Sequence, residues 1–285
     1  MRGRRRARSL LLVLALVLLA VPAVAGSGAA AREPSGRQQA SPREMARRSI
    51  QRLRSTADGQ VTATFRQSTG VAGFVRVSRG GDLLPASGAR PTVKTAEFFS
   101  RYGDAVGVTD ARQLRLTGRV RDAAGGTHLI YDQVFRGVAV FGAQIRAHLD
   151  AEGRLTAVNG TSVPRLRLST TPRLSAARAA QLAIREVVAD PPQDQSGKAV
   201  DVRPADLRTS ARLVVYRTGL IRDVAGTNQL AYRVEVTDGA GIRDLVFVHA
   251  HVGKVLNRYS TVEDALFRRL FEQNTSTQVW QEGDP

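Results

Sequence analysis

The strongest structural signal in the chain is the segment Gly126–Asp150, GTHLIYDQVFRGVAVFGAQIRAHLD. It predicts two long antiparallel β-strands joined by a tight turn that contains Gly137. In the second half of the second strand apolar residues take every other position, and Gln144, Arg146 and His148 stand between them. This period of two is typical of a strand with one buried face and one free face. The segment therefore predicts the centre of an antiparallel sheet.

Similar patterns extend on both sides of this hairpin. Towards the N-terminus, strand-like segments lie within residues 58–84 and 114–121, with a predicted helix over 92–102 between them. Towards the C-terminus, a predicted helix over 175–188 precedes four strand-like segments within 211–259. Each part is a helix followed by an antiparallel sheet, which predicts an α+β protein of two cystatin-like helix-on-antiparallel-sheet units.

A last helix is predicted to begin at Ser260, because Ser260 and Glu263 have the spacing of a capping box. Leu266 and Leu270 would lie on its apolar face. The predicted domain order is a signal peptide over 1–25, a disordered segment with a short helix over 26–57, a first unit over 58–165, a second unit over 170–273 and a tail over 274–285.

The first residues have the pattern of a secretory leader. Several arginines precede the apolar run Leu10–Val21, and Ala23-Val24-Ala25 is a small-x-small motif. The alternative is an uncleaved membrane anchor, but the run is short for a span of roughly 20 residues and Pro22 ends it. We therefore expect cleavage between Ala25 and Gly26, and a secreted, extracellular chain without a stable membrane anchor.

Composition and charge exclude some kinds of site and some classes of partner. The formal charge is +17 and the chain has no cysteine, which excludes disulfides and thiolate metal sites. Nucleic-acid binding is not expected, because the basic residues are spread along the chain and aromatic residues make up only 5% of it. The basic surface is instead suited to acidic wall polymers or to an acidic partner domain.

The sequence contains no recognisable catalytic motif. There is no His-Glu-x-x-His, Gly-x-Ser-x-Gly or phosphate-binding loop. His128 and His148 are expected to approach across neighbouring strands, and His249 and His251 to face one side of a turn. A zinc site needs three or four ligands, so both pairs are better explained as outward-facing sheet and turn residues. We expect no catalytic residues, no metal and no cofactor in this chain, and no enzymatic activity.

Residues 126–150 resemble the FTP domain, the prodomain shared by fungalysin- and thermolysin-type metallopeptidases. That family has a strand ending in aromatic-x-Gln, a glycine turn, Val-Phe-Gly, and a strand ending in His-x-Asp. The matching residues here are Tyr131, Gln133, Gly137, Val140, Phe141, Gly142, His148 and Asp150.

Residues 174–260 resemble the PepSY domain that follows in such precursors. The resemblance is carried by residues 230–260, LAYRVEVTDGAGIRDLVFVHAHVGKVLNRYS. His251, Gly253 and Lys254 match the family's last hairpin, whereas His249 stands where the family often has Asp. This departure has no expected catalytic consequence.

The resemblance implies a prodomain that acts as intramolecular chaperone and inhibitor of a secreted zinc metallopeptidase. The zinc would belong to the catalytic domain, which is the expected partner in cis or in trans. Val279 and Trp280 in the tail would lie just before that domain, so the chain would be a truncated precursor or a fragment. Two alternatives remain: a stand-alone secreted binding module, such as a trans-acting protease inhibitor, or a peptidase whose gene model lost its 3′ part.

Overall fold

The computed structural model describes residues 39–193 and 198–261, together with the backbone of 269–271 and 278–281. The predicted signal peptide, including Ala25 and Gly26, lies outside the described residues. Within the described residues, no helix is both long enough and apolar enough to cross a membrane.

Two of the three described α-helices begin at a serine whose side chain accepts from a free N–H group. At the first helix the Ser41 side chain accepts from the Glu44 N–H, and the Glu44 carboxylate accepts from the Ser41 N–H at 2.7 Å. This reciprocal capping box fixes where the helix starts. The described α-helices are α1 (Pro42–Arg54), α2 (Pro91–Tyr102) and α3 (Ala176–Ala189).

The strands follow the alternating segments of the sequence. Their bounds are β1 (Val61–Phe65), β2 (Ala72–Val77), β3 (Leu114–Arg121), β4 (Thr127–Phe135), β5 (Val138–Leu149), β6 (Leu155–Gly160), β7 (Arg208–Arg217), β8 (Asn228–Thr237), β9 (Arg243–His249), β10 (Val255–Ser260), β11 (Arg269–Phe271) and β12 (Gln278–Gln281).

One sheet connects both parts of the chain. Its main order is β1-β2-β6-β5-β7-β8-β9-β10, with β4 beside β5 and β3 beside β4. The strand shared by both parts is β5: residues 145–149 pair antiparallel with β6, whereas Ala139 and Val140 pair parallel with Val214 and Val215 of β7. The sheet is therefore mixed and the α+β class is confirmed.

Two glycines determine the path of the β5 backbone. The β4–β5 hairpin has a two-residue turn in which Arg136 has φ +50° and Gly137 has φ +82°. Positive φ at both central positions is the geometry of a type I′ turn, so the predicted tight turn is confirmed. Gly142 has φ +73° and lies between the segment of β5 that pairs with β7 and the segment that pairs with β6.

We call residues 42–165 the first half and residues 170–261 the second half. In the first half α1 and α2 pack on the sheet, and Leu53, Phe98 and Leu129 are fully buried between them. In the second half α3 packs on β7–β9 through its small residues. A third cluster joins the halves and contains Val140, Ala143, Val163, Leu166, Val215 and Leu220.

The predicted last helix is wrong at Leu270. Residues 262–268 lie outside the described residues, but Leu270 lies in β11 and pairs with Trp280 of β12. Apolar residues four positions apart are typical of a helix. Their spacing does not indicate whether a strand partner lies further along the chain. The predicted tail thus includes a strand. The predicted domain division between residues 165 and 170 stays a prediction, because the sheet continues across it through β5 and β7.

Candidate protein-binding site at the joint of the two halves

Gln133 is a buried polar residue in β4. Its side chain is 1% exposed, and it makes two hydrogen bonds to the backbone of Val163. The amide nitrogen Nε2 donates to the Val163 carbonyl at 2.8 Å, and Oε1 accepts from the Val163 N–H at 2.8 Å. Gln133 lies where the β4–β5 register shifts. Its amide therefore holds the segment after β6 against the region where β5 and β7 connect the two halves, which we call the joint.

Tyr131 anchors the same strand to α2. Its ring contacts Phe99 edge-on, with ring centroids 5.4 Å apart, and its hydroxyl lies 2.7 Å from the Thr95 hydroxyl. Burial raises the pKa of Tyr131, so the phenol stays protonated. Tyr131 therefore has a packing role in the first half and does not face the joint.

Phe141 extends from the first half into the second. Its ring centroid lies 4.6 Å from that of Phe247 and 6.1 Å from that of Tyr216. Val140, the residue before it, is buried and pairs with Val215. The positive φ of Gly142 allows β5 to turn back to the first half directly afterwards. The Val-Phe-Gly motif is thus where the first half pairs with and packs against the second half.

The rings around Phe141 form an aromatic cluster, which we define as Phe141, Tyr216, Phe247 and Tyr259. Phe247 stacks on Tyr216 at 4.5 Å and meets Tyr259 edge-on at 5.8 Å. The two tyrosine hydroxyls are 3.2 Å apart, and Asn257 Nδ2 donates to the Tyr216 hydroxyl at 2.8 Å. Burial, followed by the contact with Tyr216, raises the pKa of Tyr259 to about 12. The cluster is therefore uncharged, with polar atoms at its edge.

A cavity of about 290 Å³ opens beside the aromatic cluster. Phe141, Tyr216 and Tyr259 line it, together with the loop between β7 and β8. On that loop Ile221 is 58% exposed and Val224 is 49% exposed. Concave apolar surfaces with a few polar groups are typical binding sites, so this surface is suited to an apolar side chain of a partner.

A latch holds this loop in place, and we define it as Asp223 and Arg217 with the turn at Gln67 and Ser68. The Asp223 carboxylate accepts from the N–H groups of Gln67 and Ser68 and from the Ser68 hydroxyl, at 2.6–3.2 Å. The Arg217 guanidinium donates to the Ser68 carbonyl. The hydrogen bond from the Ser68 hydroxyl is the main cause that lowers the pKa of Asp223. The loop around the cavity is thus fixed to the first half.

A second cavity, of about 500 Å³, lies on the joint itself. It brings together four of the predicted motif residues and two arginines that the sequence did not single out. The residues of interest in its lining are Gln133, Val140, Phe141, Gly142, Arg212 and Arg233.

His128 and His148 form a hydrogen-bonded chain on the outer face of the first half. Their Nδ1 atoms are 2.8 Å apart, which confirms the predicted approach across the sheet. His128 Nε2 contacts Asp122 Oδ2 and His148 Nε2 contacts Asn159 Oδ1, each at 2.8 Å. Among the residues that the structure describes, no three histidine or carboxylate side chains are placed to hold a metal ion.

His249 and His251 lie at the β9–β10 hairpin. His249 Nδ1 accepts from the His251 N–H at 3.1 Å, and His249 Nε2 lies 3.0 Å from Gln229 Oε1. Gly253 follows with φ +73° and donates its N–H to the His249 carbonyl. These contacts shape the turn, and residues 249–254 do not line either cavity at the joint.

The remaining predicted residues are Val279 and Trp280, whose backbone lies in β12 and whose side chains are outside the described residues. The sequence interpretation missed the second-half residues of the joint. They are Arg212, Tyr216, Asp223, Arg233 and Phe247. The alternation within β7, β8 and β9 was the signal that could have indicated four of them, because it places Arg212, Tyr216, Arg233 and Phe247 on one sheet face; Asp223 lies on the loop between β7 and β8.

Residues 112–162 match the model of the Fungalysin/Thermolysin Propeptide Motif. The chain is 29% identical over 157 residues to thermolysin of Alicyclobacillus acidocaldarius subsp. acidocaldarius, which covers 54% of this chain and 26% of that protein. It is 28% identical over 201 residues to bacillolysin of Brevibacillus brevis, covering 64% of this chain and 34% of that protein. Among solved structures, the Bacillus megaterium YpeB C-terminal domain aligns with 76% of this chain and 96% of its own, at 10% identity and a TM-score of 0.35.

The chain thus spans about a quarter to a third of the length of these curated relatives. The predicted motif residues from Tyr131 to Gly142 all fall inside the matched segment. Residues 112–162 therefore carry a fungalysin/thermolysin propeptide motif, in a chain that is similar in sequence to thermolysin and bacillolysin.

Proposed function

We propose that this chain is a prodomain that acts as chaperone and inhibitor of a secreted zinc metallopeptidase. The observation that carries the proposal is the propeptide motif over 112–162, whose Gln133 and Phe141 build the joint beside both cavities. The partner is the catalytic domain, in cis or in trans. Zinc belongs to that domain, and this chain contributes neither a cofactor nor catalytic residues.

The joint supplies a preorganised surface for this partner. The latch and the shared strand β5 hold the cavity walls in place, so binding costs little ordering entropy. A tethered prodomain acts at an effective concentration of about millimolar, so modest contacts suffice for inhibition. A surface that matches a partly folded catalytic domain would also lower the barrier to its folding, which is high for proteins stabilised kinetically.

We propose in addition that each half is a cystatin-like unit and that the tail contacts the catalytic cleft. Val279 and Trp280 follow the second half along the chain and offer large apolar side chains for that contact. A protein of this kind acts outside the cell, in keeping with the arginine-rich leader pattern.

The test is inhibition of a thermolysin-type catalytic domain by the chain added in trans. The whole chain is expected to inhibit, and both a truncation after Phe271 and Trp280→Ala are expected to inhibit less. Ile221→Asp should also weaken inhibition, because Ile221 is 58% exposed beside the aromatic cluster. Val252→Asp is the matched control, since Val252 is 71% exposed on a different hairpin.

The results of these inhibition assays distinguish a contact through the tail, a contact through the cavity and a stand-alone binding module. Undiminished inhibition by the truncation would place the contact on the folded halves alone. Equal loss in Ile221→Asp and Val252→Asp would remove the cavity from the interface. No inhibition by any of these proteins would contradict the proposal and favour a stand-alone binding module.

A further inference from the structure

Two arginines face each other across the outer side of the second half. Arg212 of β7 is directly opposite Arg233 of β8, and Arg233 is in turn opposite Phe247 of β9. Like charges at directly opposed positions destabilise a sheet. In the part of the chain that the structure describes, no carboxylate forms an ion pair with either guanidinium. Neither guanidinium therefore has an ion-pair partner among the described residues.

Arg233 also has an unused donor. Its Nε atom is buried and has no hydrogen-bond partner among the described residues. Glu235, on the same strand and face, is already paired with Arg243 at 2.9 Å. A buried donor without a partner is costly, so the Arg233 Nε–H lacks the hydrogen bond that would offset its burial.

The two arginines line the cavity of about 500 Å³ at the joint. Val140, Phe141 and Val214 give it an apolar wall. Asp132 is the carboxylate in the lining, and its Oδ1 accepts from Gln144 Nε2 at 3.1 Å. Two guanidinium groups against one carboxylate leave the cavity with an excess of positive charge.

We propose that this cavity binds the carboxylate of an Asp or Glu side chain on a protein partner, with an apolar neighbour seated on the Val140–Phe141 wall. A guanidinium fork matches the two oxygens of a carboxylate, and a ligand between Arg212 and Arg233 would relieve their repulsion. The apolar wall favours a peptide segment over a free anion, because only a peptide brings an apolar side chain to bury there. The site goes beyond the proposed function and does not depend on which protein supplies the carboxylate.

The experiment uses NMR of the arginine Nε–H groups in the purified chain. The probes are acetyl-Leu-Glu-Leu-amide and its neutral match, acetyl-Leu-Gln-Leu-amide. The Arg233 resonance is identified by its loss in Arg233→Lys. We expect a saturable shift of this resonance with the Glu peptide and none with the Gln peptide.

Two further variants make the result specific. Arg212→Gln should weaken binding of the Glu peptide by about tenfold or more, the effect of losing a hydrogen bond between charged groups. Without peptide, Arg212→Gln should raise the melting temperature of the chain, because the two opposed charges are no longer present. The melting transition also shows that the variant folds. Arg208→Gln is the control, since Arg208 lies on the same strand and face but opposite Thr237, and binding should be unchanged.

Equal shifts with the Glu and Gln peptides, or no shift with either, would overturn the proposal. Equal weakening in Arg208→Gln and Arg212→Gln would overturn it as well. If sodium phosphate or sodium acetate binds as tightly as the Glu peptide, the cavity takes small anions and the peptide ligand is wrong. These measurements are made without a peptidase, so they leave the inhibition assay as a separate test of the proposed function.

Discussion

At the scale of single residues, Gln133 shows how one amide can determine a backbone path. Both of its hydrogen bonds go to Val163, which follows β6 and belongs to the cluster that joins the halves. An apolar residue of the same size would fill the space but leave a buried N–H and a buried carbonyl without partners.

We expect Gln133→Leu to lower the free energy of unfolding by about 2–5 kcal/mol, because each unpaired buried backbone group costs about 1–3 kcal/mol. Chemical denaturation of the purified chain measures it. Gln144→Leu is the control: Gln144 is half-buried on the neighbouring strand and bonds only side chains, so its loss should cost about 1 kcal/mol or less. Equal losses in the two variants would argue against the Val163 contact.

His249 gives the molecule a dependence on pH. Burial, together with the charge of His251, lowers the pKa of His249. The hydrogen bonds of the ring also favour its neutral form, because Nδ1 accepts from the His251 N–H and a protonated Nδ1 cannot accept. The unfolded chain therefore takes up this proton first, near pH 6.5. Stability should be complete above about pH 6.5 and decline as the pH falls from there to the lower pKa of the folded ring.

The direct measurement is an NMR titration of the His249 ring, which should have its midpoint below about 6.5. The melting temperature should fall between pH 7 and pH 5, and this fall should be smaller in His249→Asn. Asparagine keeps an acceptor for the His251 N–H but has no titrating group. An unchanged fall in His249→Asn would assign the pH dependence to other groups.

At the scale of elements, the strand β5 has features that the sequence could predict and one that it could not. Its alternation predicted one buried face, and Arg136-Gly137 predicted the turn, because both signals are local. The parallel pairing with β7 could not be predicted, since periodicity indicates a strand but not its partner. The best available signal was Gly142, a glycine inside a strand pattern, which often marks a bend. The partner of Gln133 was hidden for the same reason, because Val163 is distant in sequence.

The latch connects two turns that the sequence does not relate. Asp223 has φ +52°, a conformation that Asp and Asn tolerate better than most residues. We expect Asp223→Asn to keep this backbone but to weaken the hydrogen bonds to Gln67 and Ser68. Amide exchange at those residues should accelerate by about tenfold, which corresponds to about 1.4 kcal/mol.

The matched control for the latch is Asp110→Asn. Asp110 also accepts a backbone N–H, from Arg112, but lies in a local turn of its own. Exchange at Gln67 and Ser68 should be unaffected by that change. If both variants leave exchange at these residues unchanged, the latch does not hold the β1–β2 turn.

At the scale of the whole molecule, Phe141 should make the two halves unfold together. Replacing a buried phenylalanine by alanine costs about 3–5 kcal/mol, and somewhat less at this half-buried site. Calorimetry of the native chain should show a single transition, and Phe141→Ala should separate it into two. Phe65→Ala is the control, because Phe65 packs only against the first core; it should lower one transition without dividing it.

The shared strand also affects the order in which the chain can assemble. Ribosomes make β5 before β6, α3 and the loop that precede β7, so Val140 and Phe141 leave the ribosome long before Val215 and Phe247 exist. Until β7 is complete, an apolar segment of β5 has no strand beside it and no rings over it. A nascent chain stalled before Val215 would therefore expose an extended hydrophobic strand, which is the kind of segment that aggregates or that holdases bind.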